Sequence, residues 1–207
     1  PIDRNGKQTD PRKLHSSQFG TICPFETPEG GSVGIVKNMA ITCHITIPTS
    51  NEPVLSALKE LGMEKLEDIV PSSLNNSVKV FVNGDWCGQV FEPSKVVNKL
   101  REYRRNGIIN IYTSISWNIK NYELSIRTDG GRLCRPLYIV KDKKLVLNSK
   151  ILATIEKNNE TWSDILIRNS KYDKYNDSII EFIDTDEANT CMVAMSFDDL
   201  KKNSKKN

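Results

Sequence analysis

The segment from Leu14 to Asn38 constrains this chain most. It holds four glycines and two prolines in 25 residues. That density forbids a regular helix, and too few apolar residues alternate for a plain strand. Thr27-Pro28-Glu29-Gly30 reads as a tight turn, with Pro28 pre-setting φ and Gly30 closing it. Gly30, Gly31 and Gly34 permit conformations or close approaches that a side chain would block. Glu26 and Glu29 flank the turn, so the segment reads as a rigid loop carrying chemistry.

The residues before it, Asp3 to Lys13, are polar and contain the turn signal Asn5-Gly6. Arg4, Lys7, Arg12 and Lys13 make this a basic loop tip, either solvated or set against phosphates, which such cations neutralise without reading bases. Cys23 with His15 or His44 would be the elements of a thiol hydrolase, if base and thiol met. Gly30 to Gly34 lacks the Lys-Ser/Thr that a phosphate-binding P-loop needs.

Downstream, alternation from Met39 to Ile47 predicts a half-buried strand. Val54 to Leu61 has helical spacing and stops at Gly62, and a second short helix is expected around Leu66 and Ile69. Val78–Val82, the Asn83-Gly84 turn and Trp86–Phe91 predict a hairpin. Pro93 opens a helix whose buried stripe is Val96, Val97, Leu100 and Tyr103. Its other face carries Lys95, Lys99, Arg101, Arg104 and Arg105, placed toward solvent or nucleic acid. Strands follow at Ile109–Trp117, Tyr122–Ile126 and Leu133–Val140, where Arg132 and Arg135 either pair with a carboxylate such as Glu26 or face water. Helices are expected at Lys144–Ile155 and Thr161–Arg168, a loop at Ser170–Ser178, a strand at Ile179–Asp184, an apolar piece at Met192–Met195 and a disordered tail from Lys201. Asp184, Asp186 and Glu187 have the spacing of a metal cluster.

The fold class expected is α+β: a mixed, strand-rich, multi-domain fragment with short helices, divided as 1–48, 49–140 and 141–207. A net charge of +3 argues by itself for no particular partner, and no apolar run approaches a membrane span. Five scattered cysteines with two histidines give no zinc spacing and suit a reducing compartment. The start, Pro1-Ile2-Asp3-Arg4, reads as a piece cut from a longer chain.

Taken together, Leu14-His15, Gly20, Cys23-Pro24-Phe25-Glu26-Thr27-Pro28-Glu29-Gly30 and Gly34-Ile35-Val36-Lys37-Asn38 resemble the fork region of the second-largest subunit of multisubunit DNA-dependent RNA polymerases. Lys37-Asn38-Met39-Ala40 is more similar to the eukaryotic and archaeal branch than to the bacterial one. Phe81-Val82-Asn83-Gly84-Asp85-Trp86-Cys87-Gly88, Thr128-Asp129-Gly130-Gly131-Arg132 and Glu181-Phe182-Ile183-Asp184 with Met192–Met195 resemble the two following domains, in order. Gln18-Phe19 and the Ser170–Ser178 run depart from the family pattern, and with the Asn- and Lys-rich composition they fit a divergent member such as one from a large DNA virus.

The resemblance implies a polymerase part that positions downstream DNA at the bubble edge and braces the active centre, inactive alone. It makes Arg4, Lys7, Arg12 and Lys13 nucleic-acid neighbours. It sets His15, Pro24, Glu26, Thr27, Pro28, Glu29, Gly30 and Gly34 near the active centre as structural residues. It implies Mg²⁺ in the assembled enzyme, bound by residues elsewhere. Partners would be the largest and other polymerase subunits, the DNA template and the RNA transcript, in the nucleus or cytoplasm and not at a membrane. The alternative is a stand-alone nucleic-acid-binding module.

Overall fold

The computed structural model describes residues 8–167 and 178–204. It is mixed α+β, built around two sheets. The larger sheet contains β2 (Glu64–Lys65), β3 (Val78–Val82), β4 (Asp85–Val90), β5 (Ser114–Asn118) and β6 (Glu123–Arg127), in spatial order β2-β4-β3-β6-β5. Only the β3–β6 pair is parallel. The β3–β4 hairpin turns at Asn83 and Gly84, with φ of 52° and 94°. Two successive left-handed residues are what a type I′ turn requires, and Asn-Gly supplies them at least cost. The register slips between Val80 and Phe81, so Cys87 is the extra residue of a bulge.

Alternation on β3 sends Val78, Val80 and Val82 to one face, where Leu124, Ile126, Ile115 and Val90 join them. Two helices cover that face, α1 (Glu52–Glu60) with Val54, Ala57 and Leu58, and α2 (Pro93–Arg105) with Val96, Val97 and Leu100. Both apolar stripes fall where the 3.6-residue period places them.

The smaller sheet takes its strands from three distant parts of the chain. Central β7 (Leu133–Tyr138) pairs antiparallel with β1 (His44–Ile45) on one side and β10 (Ile180–Asp184) on the other. Phe182 packs edge-on to His44, with 5.3 Å between ring centroids, and against Tyr112 at 4.9 Å. Beyond β7 lie a small hairpin, β8 (Val140–Lys141) with β9 (Lys144–Leu145), and two helices. Asn148 caps the first, α3 (Ser149–Asn158), by accepting from Ile151 N at 3.0 Å. A Thr161–Asp164 capping box opens the second, α4 (Trp162–Leu166). Leu166, Ile179 and Phe182 form the core of this unit.

Several expectations change. The strand foreseen over Met39–Ile47 is reduced to β1, and the expected alternation fails: of its apolar face Cys43 is buried but Ile41, Ile45 and Ile47 are exposed, while Thr46 is buried. Around Leu66 there are short 3₁₀ turns in place of an α-helix. Met192–Met195 has no regular structure and is largely exposed, with Val193 half-buried, and α6 (Phe197–Ser204) runs into the tail expected to be disordered. Most of the Ser170–Ser178 loop lies outside the described residues. Among the described residues, no helix is long and apolar enough to cross a membrane.

The largest correction concerns Arg104. It was placed on the open face of α2, but it is 2% exposed. Its Nη1 donates to Thr113 O at 2.8 Å and to Glu187 Oε2 at 2.7 Å. Its Nη2 donates to Glu187 Oε1 and Glu181 Oε2, both at 3.0 Å. Glu187 lies on α5 (Thr185–Thr190), whose cap Asp184 accepts from Glu187 N at 2.8 Å. Asp184 also accepts from Ser114 Oγ and from Arg132 Nη1, each at 2.8 Å. The end of α2, the start of β5, the turn before β7 and the β10–α5 corner thus share one charged, hydrogen-bonded hub.

A buried ion pair adds little over an apolar substitute, but losing one partner strands the other. Arg104→Met should therefore lower unfolding free energy by about 3–5 kcal/mol in urea titration, whereas Arg105→Met, at the half-buried edge, should cost about 1 kcal/mol or less. Burial pushes the Glu181 carboxyl up, but the charges and hydrogen bonds of Arg104 and Arg105 outweigh it and hold the group below its ordinary value. A carboxylate lowered in the folded state contributes stability above its unfolded pKa, about 4.3 for Glu, and that contribution is lost as pH falls through the folded value. Denaturation midpoints measured across this acid range should fall for the native chain and flatten for Glu181→Gln.

Candidate nucleic-acid interface

The Pro-Gly segment folds as a loop with a tied neck. Cys23 N donates to Asn38 O at 2.9 Å, Ala40 N donates to Thr21 O at 3.0 Å, and Ile22 bridges Met39. The excursion between these ties has the size of an Ω-loop, a surface loop with close ends and internal packing.

Inside it, Thr27 acts as a cross-brace. Its Oγ1 donates to Val36 O at 3.1 Å and accepts from Gly34 N at 2.8 Å. Asn38 Nδ2 donates to Glu26 O at 3.2 Å. The tight turn is displaced from Thr27–Gly30 to Gly30–Ser32, with Val33 N donating to Gly30 O at 3.1 Å. Pro28 therefore enters this turn rather than forming its corner.

Arg12 ties the basic tip to this loop. Its Nη1 donates to Gly31 O at 2.7 Å and Val33 O at 2.9 Å, and its Nε donates to Gln8 O at 3.1 Å. The contact is close because Gly34, at φ +70°, lies against the Arg12 backbone. A Cβ on Gly34 would come within 2.8 Å of Arg12 Cα. Arg12 thus serves first as a clamp. Lys13 is exposed and pairs with Asp10 at 2.8 Å, a pair worth about 0–1 kcal/mol that a phosphate can displace. Arg4 and Lys7 lie outside the described residues.

His15 opens a 3₁₀ turn, Ser16–Gln18, and its Nδ1 accepts from Ser17 N at 3.2 Å. His44 makes an edge-to-face contact with Phe182. Neither imidazole is placed as a base for Cys23, so the thiol-hydrolase reading has no dyad among the described residues. Pro24, Phe25, Glu26, Pro28, Glu29 and Gly30 face outward, with Phe25 91% exposed. Glu26 and Glu29 make no ion pair with any described residue. Arg135, considered as a partner for Glu26, instead lies 5.3 Å over the Phe19 ring, and Arg132 goes to Asp184 and Asp129.

The acidic group at the β10–α5 corner has no ligand set to offer a cation. Asp184 is held by Arg132 and Ser114, Glu187 by Arg104, and Asp186 by Arg127. These arginines already balance the charge of the carboxylates, and those of Asp184 and Glu187 are buried in hydrogen bonds, so this donor set does not fit Mg²⁺.

Sequence reasoning missed Arg104 and the Arg12 clamp. Arg104 carried a signal: Val96, Leu100 and Arg104 are spaced i, i+4, i+8, which puts the arginine on the buried stripe. Arg12 carried none, because its partners are backbone carbonyls some 20 residues away.

Three family models match the chain in order: RNA polymerase Rpb2, domain 3 at residues 1–45, domain 4 at 80–141 and domain 5 at 173–207. The DNA-directed RNA polymerase II subunit RPB2 of Meyerozyma guilliermondii is 40% identical over 97% of the chain and 17% of its own length. The DNA-directed RNA polymerase III subunit RPC2 of Drosophila melanogaster is 31% identical, again over 97% and 17%. DNA-directed RNA polymerase subunit 2 of Acanthamoeba polyphaga mimivirus is 35% identical over 91% of the chain and 15% of its own length. The chain thus spans about a sixth of the length of these relatives. With three domain models in register and relatives aligned across almost every residue, the chain belongs to the second-largest subunit family of multisubunit DNA-dependent RNA polymerases.

Proposed function

We propose that these residues form the part of the polymerase that holds downstream DNA at the edge of the bubble and braces the active centre, without chemistry of their own. The observation that carries this reading is the Arg12 clamp. Arg12 ties the described end of the basic tip, residues 8–13, to the Pro-Gly loop, so a phosphate held at Lys13 is held at a fixed distance from the loop. Lys13 faces outward to contact the nucleic-acid backbone, with Arg4 and Lys7 as its neighbours in sequence. Glu26 and Glu29 face outward to meet cations of another subunit.

In the whole enzyme, Mg²⁺ held by residues elsewhere supplies charge stabilisation for nucleotidyl transfer. The partners are the largest and other polymerase subunits, DNA and RNA, in the nucleus or, for a viral enzyme, the cytoplasm. The chain divides at about 48 and 140 into a fork segment, a β-rich unit and a C-terminal unit, a division that follows the order of the domain models. The fork segment leaves Leu14, Phe19, Phe25, Ile41 and Ile47 exposed. Such a surface suits a part buried in an assembly better than a free-standing binding module.

Lys13→Glu in the assembled polymerase should weaken template binding and make log K against log salt shallower by about 1; an unchanged slope, measured by fluorescence anisotropy, would remove Lys13 from the DNA path. Arg12→Lys keeps the charge but loses the planar guanidinium that reaches Gly31 O and Val33 O through Nη1 and Gln8 O through Nε. It should slow elongation while leaving that salt slope within about 0.3 of native. Gly34→Ala, which meets the Arg12 backbone at a left-handed φ, should reproduce the Arg12→Lys defect and destabilise the loop by about 1–3 kcal/mol, read as earlier proteolytic cleavage between Cys23 and Asn38.

A further inference from the structure

After α5 the chain leaves Cys191 in an extended conformation, at φ −111° and ψ 156°, and runs without regular structure through Met192–Met195 to α6. Among the described residues, Met192–Met195 make no backbone hydrogen bond. Their side chains are not tucked away either: Met192 is 96% exposed, Met195 66%, and Phe197 beyond them 61%. An apolar segment with neither backbone pairing nor cover is costly on both counts.

Beside it opens a groove of about 1220 Å³. Val97, Trp117, Leu137, Leu152 and Ile183 give it an apolar lining. Trp117 Nε1 is buried there and has no acceptor among the described residues, although a buried indole N–H ordinarily finds one. The charges on the walls do not cancel. Glu181 and Glu187 are committed to Arg104 and Arg105. Lys143 and Lys144 have no ion pair among the described residues, and Arg101 comes no closer than 3.8 Å to Glu187. The uncommitted charge of the groove is positive.

We infer that this groove seats an extended apolar strand bearing carboxylates, supplied by the same subunit from outside residues 1–207, which pairs with the backbone of Met192–Met195. Strand addition satisfies the idle backbone groups. The carboxylates meet Lys143 and Lys144, and the thioethers of Met192 and Met195 adapt to whatever apolar side chains arrive. The source follows from length. The relatives are roughly six times longer than this chain, and a segment of the same polypeptide is present at an effective concentration that a separate protein does not reach. The inference stands apart from the proposed DNA path, since the groove lies on the α2 and α3 side and uses no residue of the fork segment.

The test uses the full-length subunit in its assembled polymerase. p-Benzoylphenylalanine replaces Tyr138, which is 56% exposed on the groove wall, and the photo-cross-linked peptide is sequenced by mass spectrometry. The expected product joins Tyr138 to an apolar segment with Asp or Glu from the same polypeptide outside residues 1–207. Its yield should fall roughly fivefold in Lys143→Glu/Lys144→Glu, the loss expected for two partly exposed ion pairs. A product within residues 1–207, with another subunit or with a second copy, or no product above the unirradiated control, overturns the inference. Hydrogen exchange on the unsubstituted enzyme provides an arm that needs no variant. The amides of Met192–Met195 should exchange at least about tenfold more slowly than an unpaired chain, and exchange at the unpaired rate also overturns it.

Discussion

The buried Arg104–Glu187 pair is the interaction on which the rest of this structure depends. The guanidinium sits in the last turn of α2, inside the larger unit, and its carboxylate partner sits on α5, which belongs to the β10 corner of the smaller one. Burial disfavours the Arg104 charge, but Glu187 and then Glu181 outweigh it and raise the group further, so it stays ionised. Glu187 receives two nitrogens of Arg104 and the backbone N–H of Ile115. Such a site has one low-energy geometry, and that geometry fixes α2, β5 and α5 together.

From that hub the constraint passes toward the fork segment. Asp184 caps α5 and holds Arg132. Arg132 N in turn donates to Thr46 Oγ1 at 3.0 Å, next to β1, the only strand among the described residues of the fork segment. β7 completes the path by pairing with both β1 and β10. The loop at the other end is braced in the same way, by Thr27, Asn38 and Arg12 acting on main-chain groups. A loop with so little apolar core keeps its shape through hydrogen bonds, which suits a surface that presents charged and aromatic groups to other molecules.

Much of this was legible in the sequence, and the parts that were not share a cause. The β3–β4 hairpin and α2 were readable because Asn83-Gly84, Pro93 and the valine spacing are local signals. Family membership was readable because four motifs stood in order. The Met39–Ile47 strand was misread because alternation reports burial only when both faces are decided by this chain, and here Ile41, Ile45 and Ile47 are left uncovered. Arg104 was misread by weighting residue type over helical position. Arg12 was unreadable, since no local pattern announces a side chain that reaches backbone carbonyls across a loop. Glu26 and Glu29 were matched in expectation with nearby cations that are committed elsewhere, Arg135 to Phe19 and Arg132 to the hub.

The central claim is that the clamped loop holds downstream DNA at a fixed place. The most direct measurement is hydroxyl-radical cleavage of DNA from an iron chelate tethered at Lys13→Cys in a stalled elongation complex. The account predicts cuts confined to a few nucleotides at the downstream edge of the bubble, spreading or vanishing when Arg12→Lys is added. Cleavage confined to upstream DNA, or none at all in an active complex, would contradict it.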